Sequence, residues 1–173
     1  ALEQTSGFLP AVLVRARALL DVGKTAQAKA LMTRAWKRRA HPDLSTLYQS
    51  TAPENANRAK RQTIRFLSGG TDRGAQVAMG EYLLTQLDLS PARAALEAAQ
   101  DRGSARASQI LDQVPAIEAA LEQEEDAAEA QERARGRVQI ALSGGQDSAW
   151  VCASCGSLSK GWQLTCRTCE EAG

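Results

Sequence analysis

Two stretches of this chain repeat each other, and the repeat dictates helices. Leu19-Leu20-Asp21-Val22-Gly23-Lys24-Thr25-Ala26-Gln27-Ala28-Lys29-Ala30-Leu31-Met32 aligns with Leu83-Leu84-Thr85-Gln86-Leu87-Asp88-Leu89-Ser90-Pro91-Ala92-Arg93-Ala94-Ala95-Leu96 at an offset of 64 residues, two units of 32. On that offset Ala16 matches Gly80, Ala28 matches Ala92, Met32 matches Leu96 and Ala35 matches Ala99. Small residues recur where two helices must approach closely, and larger apolar ones recur one turn on. This is the logic of a helix–turn–helix repeat of about 34 residues. Composition agrees. Of 173 residues 43% are hydrophobic but only 4% aromatic, so the apolar content is mainly Ala, Leu and Val, which suits helix-on-helix packing better than a sheet core.

Each unit reads as two helices. The first helix covers 10–21, Gly23 breaks it, Thr25 caps a second running to about residue 39, and Pro42 ends the unit. In the third unit a helix over 75–86 is followed by Ser90 as N-cap with Pro91 at the first helical position, a strong start signal, and Arg102-Gly103 closes it. Segments 43–50 and 54–67 fill an atypical second unit, stopped by Ser68-Gly69-Gly70. A more charged fourth unit covers 105–121 and 126–142, and the segment from Ser143 to Ser148 is a flexible linker. The expected fold is therefore all-α. It is a tetratricopeptide-like array of helical hairpins, an α-solenoid, over 1–142, with a linker at 143–149 and a small zinc-ribbon or rubredoxin-like knuckle over 150–173. A generic Ala/Leu-rich bundle would share the composition, and the matched offset argues against it.

All four cysteines lie in the last 22 residues, as Cys152-Ala-Ser-Cys155-Gly156 and Cys166-Arg-Thr-Cys169. Two residues between cysteines let a tight turn aim both sulfurs at one ion. Two such turns face to face supply four thiolates in a tetrahedron, with Zn–S near about 2.3 Å. Gly156 can close the first turn in a left-handed conformation, and Trp150, Trp162 and Leu164 would cover a knuckle too small to fold alone. The metal would contribute on the order of 10–16 kcal/mol. Four thiolates leave no open coordination position, so Cys152, Cys155, Cys166 and Cys169 are expected to form a structural site. Zinc is expected; iron in a rubredoxin-like site is the alternative, disfavoured by the short insert and the lack of Pro and Gly in the second turn. Clustered CxxC pairs on a helical scaffold point to a reducing compartment rather than a disulfide framework.

The chain offers no catalytic set. Phosphate loop, nucleophile elbow, HExxH and Rossmann fingerprint are all missing from the sequence, so no enzyme is expected. The single histidine, His41, reads as a cation at a helix C-terminus. With 21 basic and 20 acidic residues the net charge is +1, which argues against nucleic acid as a partner. A basic run, Arg34, Lys37, Arg38 and Arg39 continued by Arg58, Lys60, Arg61 and Arg65, reads as an ordinary helix exterior; its other reading is a surface that steers an acidic partner or an anionic membrane face.

In arrays of this kind the first helix of each hairpin lines the concave surface. Leu13, Arg17, Leu20 and Asp21 of unit one, with Val77, Glu81, Leu84 and Thr85 of unit three, are the expected groove, suited to a protein or peptide partner.

The hairpins, the segment Ala35-Trp36 followed by His41-Pro42-Asp43-Leu44 and Leu47-Tyr48, and the tail Trp150-Val151-Cys152…Cys155-Gly156…Trp162…Cys166…Cys169 resemble the C-terminal region of HemY-like tetratricopeptide proteins of alphaproteobacteria. The resemblance covers most of the chain from Pro10 on and is most specific in the tail. It implies a membrane-anchored protein linked to haem biosynthesis, with porphyrin-pathway proteins as partners. The start, Ala1-Leu2-Glu3 without an initiator Met, reads as a fragment whose membrane segment lies upstream, placing it at the inner membrane on the cytoplasmic side. The tail is also similar to that of LapB-like regulators of lipopolysaccharide assembly, whose second turn carries CPxC; Arg167 and Glu170 depart from that pattern. A rubredoxin-like electron-transfer module and a nucleic-acid-binding zinc ribbon are the readings from other classes.

Overall fold

The computed structural model describes residues 9–122, 127–144, 150–151, 158–159, 165 and 167–169. Nine helices lie among them: α1 (Leu9–Asp21), α2 (Thr25–Arg38), α3 (Pro42–Gln49), α4 (Ala56–Leu67), α5 (Arg73–Thr85), α6 (Leu89–Gln100), α7 (Ala105–Leu111), α8 (Val114–Glu122) and α9 (Ala127–Leu142). Each packs chiefly on its neighbours in the chain, most extensively α1 on α2, α5 on α6 and α8 on α9. The expected all-helical class holds for the described residues between 9 and 144. None of these helices is long and apolar enough to cross a membrane.

The repeat surfaces as repeated turns. Gly23 adopts φ 74° and Leu87, its equivalent 64 residues on, adopts φ 56°. Behind each, the same hydrogen bond closes the helix: Lys24 N donates to Leu19 O at 2.8 Å, and Asp88 N donates to Leu83 O at 3.0 Å. Gly103, at φ 79°, repeats the device with Ser104 N donating to Ala99 O at 3.1 Å. A left-handed residue followed by a bond back to the third-last carbonyl is the helix stop that glycine suits best. Leucine takes that conformation against its own sterics.

The helix starts differ from expectation in three places. Lys24, not Thr25, is the N-cap of α2, and its side chain makes no cap bond. At α6 the cap is Asp88, again without a side-chain bond, so Ser90 lies inside the helix and Pro91 in its first turn. The tight left-handed turn at Leu87 fixes where α6 begins, and that turn overrides the Ser-Pro signal. The expected helix over 105–121 is two, α7 and α8, because Pro115 lacks the N–H that would continue the ladder.

Two buried clusters form the core. One joins Val12, Ala16, Ala28, Met32, Trp36, Leu44, Phe66 and Leu67 of α1–α4; the other joins Leu84, Leu96, Ile110, Val114, Ile117 and Val138 of α5–α9. Met79 of α5 packs against both, so α5 is a shared wall. Ala16, Ala28, Met32, Ala92, Leu96 and Ala99 are fully buried, as the matched small and apolar positions require. Polar clasps tie the units. Trp36 Nε1 donates to Leu67 O at 3.1 Å, and Asp72 accepts from Ala75 N at 2.8 Å as α5's cap and from Ala40 N at 2.9 Å as a bridge to unit one. Arg73 donates to Gly103 O while Arg102 donates to Thr71 O, a reciprocal clasp between two turns.

Candidate functional site

An open groove of about 550 Å³ runs between α1 and α3. Its α1 wall is Pro10, Leu13, Val14 and Arg17; its α3 wall is Asp43, Thr46, Leu47 and Ser50. Val14 is 65% exposed beside Leu13 and Pro10, so the groove offers an apolar contact surface. Arg17, Thr46 and Ser50 are also exposed, and Asp43 is half-buried. The polar groups are one cation, one carboxylate and two hydroxyls beside an apolar floor.

His41 holds the α3 wall in place, and here the expected role is corrected. Instead of a cation ending α2, His41 is the N-cap of α3: its Nδ1 accepts from Asp43 N at 3.2 Å. Burial is the main reason its pKa falls below the ordinary histidine value; Asp43, 3.8 Å away, pulls upward and Arg39 adds to the lowering. A neutral imidazole is what the cap needs, since a protonated Nδ1 cannot accept. Pro42, read as the end of unit one, is instead the first residue of α3, where its missing N–H does no harm. Tyr48 stacks on Phe66 with ring centroids 3.8 Å apart, which anchors the far end of α3 to α4.

The expected groove residues divide. Leu13 and Arg17 line the groove. Leu20 is half-buried and Asp21 exposed at the end of the same helix. Val77 and Leu84 sit in the α5–α9 core, at 8% and 0% exposure, so neither presents a surface to a ligand. Glu81 accepts from Arg106 Nε at 3.0 Å, and Thr85 is exposed with its hydroxyl donating to Tyr82 O at 2.6 Å. The unit-three residues therefore do not join those of unit one. Sequence reasoning missed Val14 and the whole α3 wall. The half-offset of 32 residues was the available signal, since it carries Pro10 to Pro42 and Val14 to Thr46.

Of the four expected metal ligands, Cys152, Cys155 and Cys166 lie outside the described residues, and Cys169 is half-buried in the turn Arg167 to Cys169. On either side of the first CxxC, β1 (Trp150–Val151) and β2 (Leu158–Ser159) pair antiparallel, Trp150 opposite Ser159 and Val151 opposite Leu158. No family model matches this chain, and no curated protein or solved structure does either.

Proposed function

We propose that this chain is a non-catalytic scaffold of tetratricopeptide type that holds a protein or peptide segment in the α1–α3 groove and ends in a zinc knuckle. The observation that carries the reading is the groove itself, an apolar floor with Val14 exposed and polar groups along both walls. Such a surface suits a segment with an apolar anchor and flanking charges better than a reaction centre. In an array of hairpins α1 and α3 are first helices of successive units, which is where a concave surface would run.

For the tail, the donor set fits zinc: four thiols in two CxxC pairs give a closed tetrahedral shell. The antiparallel β1–β2 pairing, which flanks the first CxxC in sequence, suits a knuckle of this kind. Cys152, Cys155, Cys166 and Cys169 would be the ligands, with iron as the other metal that S₄ coordination takes. The link to haem synthesis and to the inner membrane rests on the HemY-like pattern of the tail.

The test is site-directed photo-crosslinking in the full-length protein in its own membranes. A crosslinker at Thr46, in the groove, is expected to give a discrete protein adduct that Arg17→Glu removes; one at Ala94, exposed on α6, gives none. Identical adducts from both positions would refute the groove. The same preparation, made without added metal, is expected to carry zinc in a one-to-one ratio with the chain; iron in its place would turn the tail into an electron-transfer site.

A further inference from the structure

We infer that the solvent sides of α2 and α4 form a face that docks on an anionic phospholipid surface. Charge is segregated along the chain. Between Lys24 and Gly70 stand ten lysines and arginines and two carboxylates, Asp43 and Glu54, although the whole chain nets +1. Neither α2 nor α4 contains an acidic residue. On α4, Thr63, Phe66 and Leu67 turn inward. Arg58, Arg61 and Arg65, spaced three and four apart, form an exposed stripe on the opposite side. On α2, Ala28, Met32 and Trp36 turn inward while Arg34 and Lys37 are exposed.

Two hydrogen bonds link these helices. Lys29 Nζ donates to Gln62 Oε1 at 3.1 Å, and Trp36 Nε1 donates to Leu67 O at 3.1 Å. Both contacts step the same way along the two helices, so they run in one direction and share an outer face. Lys60, at the edge of that face, pairs with Asp88 at 2.5 Å and is left out of it.

The layout of this charge selects the partner. Cations spread over two separate helices make a patch, not a line that tracks a nucleic-acid groove. Trp36 and Phe66, the aromatic residues of α2 and α4, are buried, so these two helices offer no aromatic platform on which bases could stack. The exposed large hydrophobics among the described residues are Val14, Val22 and Ile140, none of them on α2 or α4. A protein partner would find no apolar anchor there. A plane of phosphate headgroups asks only for charge, and arginine meets phosphate with two parallel N–H donors. The face lies on α2 and α4, apart from the α1–α3 groove, so the two surfaces can be occupied together.

The experiment is flotation of the full chain with vesicles of phosphatidylcholine alone or in an equimolar mixture with phosphatidylglycerol. Binding is expected to the mixture and not to phosphatidylcholine, and to weaken as salt rises. Each near-surface cation is worth about fivefold, so Arg58→Gln/Arg61→Gln/Arg65→Gln should weaken binding on the order of 100-fold. Removing the same charge elsewhere, with Arg15→Gln/Arg135→Gln/Arg137→Gln, should leave it within about fivefold. Circular dichroism establishes that both variants keep their helices. Equal binding to the two vesicles, equal loss in the two variants, or tighter binding to a DNA duplex or an acidic peptide at the same ionic strength would overturn the proposal.

Discussion

His41 shows how one side chain can serve structure only in one protonation state. Burial lowers its pKa, and its Nδ1 caps α3 by accepting from Asp43 N, so the folded protein favours the neutral ring. The unfolded chain, with an ordinary histidine pKa near about 6.5, takes up the proton more readily. Stability from this group is therefore fully present above that value. It is lost as pH falls through about 6.5 toward the lower folded value, reaching roughly the worth of one N-cap, about 1 kcal/mol. The chain has a single histidine, and no other side chain has its ordinary pKa between roughly 5 and 7, so the window isolates it. His41→Asn keeps a cap acceptor that does not titrate. The thermal midpoint of the wild type is expected to fall between about pH 7 and 5 more than that of the variant; parallel curves would refute the neutral-cap account.

At the scale of the helical hairpin, the repeat makes an internal comparison possible. Gly80 and Leu96 of α5–α6 correspond to Ala16 and Met32 of α1–α2. A Cβ at Gly80 would stand 2.5 Å from Leu96 Cγ, closer than two carbons can approach. Gly80→Ala should therefore cost about 1–3 kcal/mol by overpacking, despite the better helix propensity of alanine. Methionine also has a Cγ, but its unbranched, flexible chain can turn that carbon aside where leucine's two methyl branches cannot. Gly80→Ala/Leu96→Met reproduces the pairing of the first hairpin and should recover at least half of the loss in chemical denaturation; a double variant as unstable as the single would show that the hairpins pack differently. These matched small residues were legible in the sequence, as were most helices and Leu13 and Arg17 in the groove. What was not legible depends on residues far apart. Glu81 reads as a surface carboxylate until α7 brings Arg106 against it. Val77 and Leu84 fit a groove by periodicity alone, which cannot tell a concave face from the core side of the same helix. The α3 wall was hidden for another reason: its unit matches the repeat only loosely, so no register was carried onto it.

Across the described residues, two apolar clusters meet at α5, and a single buried charge clamps helices of the second together. Arg106 of α7 has a side chain only 2% exposed. Its Nε donates to Glu81 on α5 at 3.0 Å, while Nη1 and Nη2 donate to Ala141 O and Leu142 O, the last carbonyls of α9, at 3.1 and 2.9 Å. One guanidinium thus fixes three helices and sets where the chain leaves α9 for the cysteine segment. Replacing it with methionine keeps the apolar stem but strands two carbonyls and a carboxylate. Glu81 is 26% exposed and regains some water, so the cost should fall near the lower end of the range for breaking a buried pair, about 2–4 kcal/mol. Because the α1–α4 cluster is built without Arg106, the loss should be local. In hydrogen exchange, Arg106→Met should lower amide protection in α7–α9 well before α1 and α2, where the groove wall and its partner helix would keep theirs. Arg106→Lys, a point charge that cannot reach all three acceptors at once, should recover only part of it. Protection lost equally from α1 through α9 would mean that the chain unfolds as one unit and that Arg106 supports the groove as much as the exit to the tail.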